Sequence, residues 1–183
     1  MKIILASKSP RRSEILKNLG FQFDVLVADV DETCKTTIPQ EFVKELAFKK
    51  ADAVAKTQVG NTIIIGCDTV VATEEEILGK PKDKDDARKM LKMLSGNKHS
   101  VFSGLCVIKG ENVLVDFCKT DVYFDKLTDS DIENYLADDE YKDKAGSYAI
   151  QGKAGVFVKR IDGEYFNVVG LPINLLNKML KEI

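Results

Sequence analysis

The 183-residue chain is 44% hydrophobic and 31% charged, with 27 Lys and Arg against 29 Asp and Glu and a formal net charge of -2. An apolar fraction near the globular average excludes general disorder and collagen-like or coiled-coil classes, and the length suits one domain or two small lobes sharing a core. Nearly cancelling charges exclude non-specific nucleic-acid binding, which needs a strong basic excess, but leave room for a small, highly charged ligand held by a few local cations.

Taken in chain order, residues 2–6 form an apolar run that suits a buried strand. Ser9 before Pro10 marks an N-cap and first helical position, and Gly20 closes that helix behind Ile15, Leu16 and Leu19. Phe21, Phe23, Val25 and Val27 then alternate as a half-buried strand. An acidic loop, Asp29-Val30-Asp31-Glu32-Thr33, leads to a helix starting near Pro39. Its Val43, Leu46, Ala47 and Val54 fall at helical spacing, with Lys50 on the same face.

Residues 63–72 are the most apolar stretch and predict a further strand. Asp83 caps a helix carrying Ala87, Met90, Leu91 and Leu94, which Gly96 ends. Residues 101–108 and 113–122 predict a hairpin turning at Lys109-Gly110, and Thr128 with Asp131 predicts a capping box for a helix through Leu136. After the glycine-punctuated segment 144–155, a second hairpin is predicted, 156–161 and 165–169 flanking Asp162-Gly163. Pro172 opens a C-terminal helix through Ile173, Leu176 and Leu180. Strands and helices alternate early and antiparallel pairs follow, which favours α/β or α+β over a purely parallel sheet.

Cys34, Cys67, Cys106 and Cys118 form no CxxC pair, and His99 is the single histidine, so zinc ligation at the usual spacing is not expected. His99 reads as structural, and no cysteine has a nearby cation pattern that would make it a nucleophile. With neither a signal peptide nor an apolar run long enough to span a bilayer, the expectation is a cytoplasmic protein with reduced thiols and no membrane partner.

Several places in the chain offer chemistry. Asp68 interrupts an otherwise apolar strand, where an ionised carboxylate costs several kcal/mol unless it is paired or metal-bound. It reads either as a general base or metal ligand at the mouth of a sheet, or as a strand-end carboxylate pointing into solvent. Ser7, Ser9, Arg11 and Arg12 surround a helix N-terminus, whose free N–H groups and dipole suit a polyphosphate or carboxylate; the alternative is a solvated basic turn.

Lys80, in Leu78-Gly79-Lys80-Pro81, and Lys50 read in isolation as a solvated loop lysine and a snorkelling one. Asp29, Asp31 and Glu32 offer hard oxygens to Mg²⁺ or Mn²⁺, although acidic loops commonly serve solubility alone. Gln151, between apolar residues and Gly152, supplies a donor and an acceptor suited to the edge of a uracil or thymine, or to a structural bond with backbone.

Six segments in order resemble the Maf family of nucleoside triphosphate pyrophosphatases over nearly the whole chain. They are Ala6-Ser7-Lys8-Ser9-Pro10-Arg11-Arg12, Gly66-Cys67-Asp68-Thr69-Val70-Val71, Leu78-Gly79-Lys80-Pro81, Leu94-Ser95-Gly96-Asn97-Lys98-His99-Ser100-Val101, residues 143–152 and residues 166–172. The resemblance implies a single domain over 1–183. It further implies a mixed sheet with flanking helices and two lobes around a cleft, similar to the inosine triphosphate pyrophosphatase-like fold.

It implies hydrolysis of a nucleoside triphosphate to the monophosphate and pyrophosphate with a divalent cation, and a homodimer is the family expectation. Asp68 matches the family's proton acceptor, and with Glu32 would ligate the metal. Ser7, Ser9, Arg11, Arg12, Lys50 and Lys80 would hold phosphates. Arg12, Thr69 and Gln151 match the branch preferring dTTP and UTP over 7-methyl-GTP. A link of the family to arrest of septum formation offers a second reading, a nucleotide-binding regulator. Ser103 stands where the Val-x-Thr-Gly stretch leads one to expect threonine, keeping the hydroxyl.

Overall fold

Buried apolar runs become the central strands of a mixed sheet, and amphipathic segments become its helices. The computed structural model describes residues 2–183. In chain order it contains β1 (Lys2–Ala6), α1 (Pro10–Asn18), β2 (Asp24–Val25), α2 (Pro39–Ala55), β3 (Thr62–Ala72), β4 (Ile77–Leu78) and α3 (Lys84–Leu94). There follow β5 (Lys98–Lys109), β6 (Asn112–Phe124), α4 (Asp129–Leu136), β7 (Val158–Asp162), α5 (Tyr165–Val169) and α6 (Ile173–Glu182). Short 3₁₀ turns occupy Ala145–Ser147 and Lys153–Phe157.

The seven strands run β2-β1-β3-β5-β6-β7, with β4 antiparallel on β3. β1 is parallel to both neighbours, and β7 is antiparallel to β6. Only Gly110 and Glu111 separate β5 from β6, Gly110 at φ 59, so this pair is the expected hairpin. The sheet is therefore mixed α/β, as expected. Among the described residues no helix is long and apolar enough to cross a membrane.

The predicted caps hold at α3, where the Asp83 carboxylate accepts from Asp86 N–H at 2.8 Å, and at α4, where Thr128 and Asp131 form the full capping box. At α1 Pro10 does open the helix, but Ser9 makes no side-chain cap. Its N–H donates instead to Ser7 Oγ at 3.2 Å.

Two elements differ from expectation. The strand expected from Phe21 to Val27 shrinks to Asp24–Val25, and Val25, Leu26 and Val27 are exposed. It pairs with β1 alone at the sheet edge, so nothing buries its alternating face.

The second predicted hairpin has only its first strand, because 165–169 is the helix α5. Here Glu164 N–H donates to Thr120 Oγ1, while the fully buried Asn167 amide donates to Val101 O and Thr120 Oγ1, each at 3.0 Å. These tertiary hydrogen bonds outweigh the strand preference of Val168 and Val169.

The chain divides into two compact units. The first takes residues up to Thr69, Ser103–Cys118 and Gly170–Ile183, and its core includes Ile4, Ala47, Ala51, Val54, Ile64 and Cys106. Within it α2 lies directly on two sheet glycines. A Cβ on Gly66 would stand 2.3 Å from Ala47 O, and one on Gly104 would stand 2.1 Å from Val43 O.

The second unit takes Val70–Phe102 and Lys119–Val169, with a core that includes Leu91, Leu94, Phe124, Tyr135, Leu136, Tyr148 and Phe157. His99 is buried in it, edge-on to Phe124 at 4.9 Å, with Nε2 2.8 Å from Tyr148 Oη. Burial lowers its pKa to about 4, which fits the structural reading.

Candidate active site

Asp68 lies within β3 and is only 9% exposed, which removes the reading of a strand-end carboxylate in solvent. Its Oδ1 accepts from Lys50 Nζ at 2.6 Å, and the same ammonium stands 3.0 Å from Glu32 Oε1. Lys50 reaches it because α2 sits on Gly66, with Ala51, the next residue along, packed where a Cβ would be. The lysine that alone reads as snorkelling thus bridges two carboxylates.

The acidic loop bearing Glu32 is fastened from both sides. Asp31 accepts from Thr33 N–H at 2.9 Å, a bond that lowers the Asp31 pKa, and Lys49 Nζ donates to Thr33 O at 2.8 Å.

Arg12, expected to hold phosphate, is 9% exposed and its fork is engaged within the protein. Nε donates to Gly170 O at 2.8 Å, Nη1 to Ser7 Oγ at 2.9 Å and Cys67 O at 2.8 Å, and Nη2 to Thr69 Oγ1 at 3.0 Å. Thr69 Oγ1 also shares a hydrogen bond of 2.9 Å with Ser103 Oγ. Cys67 is fully buried and burial pushes its thiol pKa up, so it is no nucleophile. Ser7 is buried under Arg12, whereas Ser9 and Arg11 are half-buried at the start of α1.

Lys80 and Gln151 belong to the second unit. Lys80 is exposed and pairs with Asp143 Oδ1 at 3.5 Å. Gln151 is exposed on a loop that Glu140 holds, since Glu140 Oε2 accepts Lys153 N–H at 3.1 Å. The Glu140 carboxylate occupies the space where a Cβ on Gly152 would lie, 1.9 Å from Oε1. The structure therefore joins Glu32, Lys50 and Asp68 in one cluster and Ser7, Arg12 and Thr69 in an adjoining one, Asp68 and Thr69 being neighbours on β3.

The model of the family described as Maf-like protein matches residues 2–183. The chain belongs to the Maf family. Curated relatives of this Maf chain include a Thermoanaerobacter sp. protein, 48% identical over 99% of this chain and 96% of its own length, named dTTP/UTP pyrophosphatase. A Clostridium botulinum protein of the same name is 50% identical, again over 99% of this chain and 96% of the relative.

Among solved structures the Maf chain is similar to the Staphylococcus aureus Ham1 protein, with a TM-score of 0.55 and 16% identity over 100% of this chain and 99% of that one. A HAM1 protein from Coxiella burnetii gives a TM-score of 0.53 at 14% identity, each chain covered completely. At these identities the likeness concerns the fold, and it agrees with the expected mixed sheet with flanking helices.

Among the described residues of the Maf chain, no group of three or more His, Cys, Asp or Glu side chains is placed to hold a metal ion. Asp68 and Glu32 nevertheless both address a single cation, the Lys50 ammonium. Two hard carboxylates fit a divalent ion such as Mg²⁺, which keeps several waters and takes its remaining ligands from phosphate.

Reading the sequence missed Gly104 and Gly170, the first a seat for α2 and the second the carbonyl that receives Arg12. A glycine inside the strand pattern 101–108 is the one signal that points to Gly104, since it marks close backbone approach.

Proposed function

We propose that this Maf-family protein hydrolyses dTTP and UTP to the monophosphate and pyrophosphate, with the whole chain acting as one domain. The observation that carries the reading is the buried Asp68 carboxylate tied through Lys50 to Glu32. The named relatives at about half identity support the substrate class. Water attacks the α-phosphorus, the bond from that phosphorus to the bridging oxygen breaks, and pyrophosphate leaves. Asp68 orients the water and takes its proton, while Lys50 fixes the carboxylate and contributes positive charge where the phosphates lie.

Asp68 and Glu32 would hold a divalent cation such as Mg²⁺ or Mn²⁺. When bound, it supplies charge neutralisation for the triphosphate and its leaving group. Ser9 and Arg11 at the start of α1 offer hydrogen-bond donors to phosphate oxygens. Lys80 is assigned to phosphate and Gln151, with Thr69, to the pyrimidine edge, on the motifs they occupy.

Replacing Asp68 by Asn should lower kcat for dTTP by about 10²- to 10⁴-fold, the usual range for losing a general base. Near-wild-type turnover would remove Asp68 from this role. A panel of dTTP, UTP and 7-methyl-GTP with product identification tests the rest. Orthophosphate release, or preference for the methylated purine, contradicts the proposed reaction or substrate.

A further inference from the structure

We propose that Arg12 is a positioning residue that fixes Asp68 and Thr69 in place, and not a phosphate ligand; the inference rests on the pyrophosphatase reading above. A guanidinium has five N–H donors, and here four go to Gly170 O, Ser7 Oγ, Cys67 O and Thr69 Oγ1. With the side chain 9% exposed, turning the fork toward a phosphate would strip buried carbonyls of their donor. All four acceptors are neutral, so the charge is held by geometry and not by a carboxylate partner.

Two of these bonds close on the residues flanking Asp68. Cys67 O and Thr69 Oγ1 are both clamped by Arg12, at 2.8 Å and 3.0 Å. Along a strand, alternate side chains face opposite ways, so Asp68 leaves the backbone away from the clamp. Holding the backbone before it and the side chain after it sets the direction in which the carboxylate meets Lys50.

The second consequence concerns Thr69. Its hydroxyl accepts from Arg12, so its proton is directed to Ser103 Oγ at 2.9 Å or Gly170 O at 3.4 Å. Ser103, fully buried on β5, thereby governs how the proposed base-reading hydroxyl points. One guanidinium ties the acid–base group and the selectivity group together.

The test compares wild-type enzyme with R12K, which keeps the charge and loses the fork, and with S103A and R12K/S103A, each checked for folding by circular dichroism. For R12K, kcat with dTTP falls about thirtyfold or more while KM and the inhibition constant of pyrophosphate stay within about threefold, a split that a merely structural role would not give.

S103A changes the ratio of kcat/KM for dTTP to that for 7-methyl-GTP by about tenfold, and its effect is smaller in the R12K background, because both act through Thr69. If R12K fails to fold, S103A alone decides: an unchanged ratio overturns the proposal. A rise of about tenfold in KM or in the pyrophosphate constant at unchanged kcat makes Arg12 a phosphate ligand and overturns this inference alone. No pyrophosphate release from dTTP or UTP by the wild type overturns the underlying reading and the inference with it.

Discussion

Lys50 is the residue on which the proposed chemistry and the local stability meet. Asp68 and Lys50 side chains are 12% and 17% exposed, so each places an opposite charge beside the other where little water reaches. Breaking such a pair from one side leaves an uncompensated charge, at a cost of about 3–5 kcal/mol. K50M should therefore lower unfolding free energy by about 3 kcal/mol in urea titrations, and adding D68N to K50M should recover much of that loss. An additive double variant would show that the two groups do not interact.

His99 gives a second expectation at this scale. Its pKa falls from 6.5 to about 4 on burial among Phe124 and Tyr148, with Asp121 opposing the shift. The unfolded chain then binds the proton more readily, so stability is complete above pH 7 and is lost as pH falls from 6.5 toward 4, by up to about 3 kcal/mol. H99Q, which can keep a hydrogen bond to Tyr148, should lose much less over that interval in thermal melts.

Asp68 was legible in the sequence because a carboxylate in an apolar strand is anomalous. The position of Arg12 was not, because its partners include the main-chain oxygens of Cys67 and Gly170, which no side-chain pattern announces.

Elements place these residues by close approach. α2 bears on Gly66 and Gly104, and at both the obstacle to a side chain is backbone, which cannot rotate aside. G66A forces α2 off the sheet, and overpacking of this kind costs about 1–3 kcal/mol. The same displacement carries Lys50 from Asp68, since Lys50 adjoins the Ala51 that touches Gly66. Activity of G66A should accordingly fall by more than its unfolded fraction explains, measured as kcat per folded molecule with the fraction folded taken from urea curves. A variant with full kcat per folded molecule would separate the helix seat from the site.

The same reasoning shows which elements a sequence discloses. α3 and α4 carry their caps in neighbouring residues, Asp83 and the Thr128–Asp131 box, so local chemistry declares them. β2 and α5 are decided elsewhere: the first by having one neighbour in the sheet, the second by Thr120 and Val101 far along the chain. Val168 and Val169 could not reveal that a buried Asn167 would be held by β5 and β6.

At the scale of the molecule, the division into two units falls in unusual places. Boundaries between independently folding domains ordinarily lie in exposed, polar or glycine-rich linkers. Here three of the four fall between Thr69 and Val70, between Phe102 and Ser103, and between Cys118 and Lys119, inside β3, β5 and β6, and the fourth follows α5 between Val169 and Gly170. Val70, Phe102 and Ser103 are buried, so the boundaries within β3 and β5 are not exposed linkers. The three strands run unbroken through their boundaries, so melting one unit would leave the other with cut strand ends in place of a linker.

Unfolding should therefore be a single cooperative transition. The sequence supplies a direct check: it has no Trp, and all five tyrosines (Tyr123, Tyr135, Tyr141, Tyr148 and Tyr165) lie in the second unit. Tyrosine fluorescence reports that unit alone, whereas far-ultraviolet ellipticity reports both. In urea the two signals should give the same midpoint and the same slope, and separate midpoints would show that each unit folds by itself. Saturating pyrophosphate with Mg²⁺ sharpens the comparison, because a ligand of the folded state stabilises everything that unfolds with its site. Both midpoints should then rise together, and a rise in one signal alone would show that the units unfold separately.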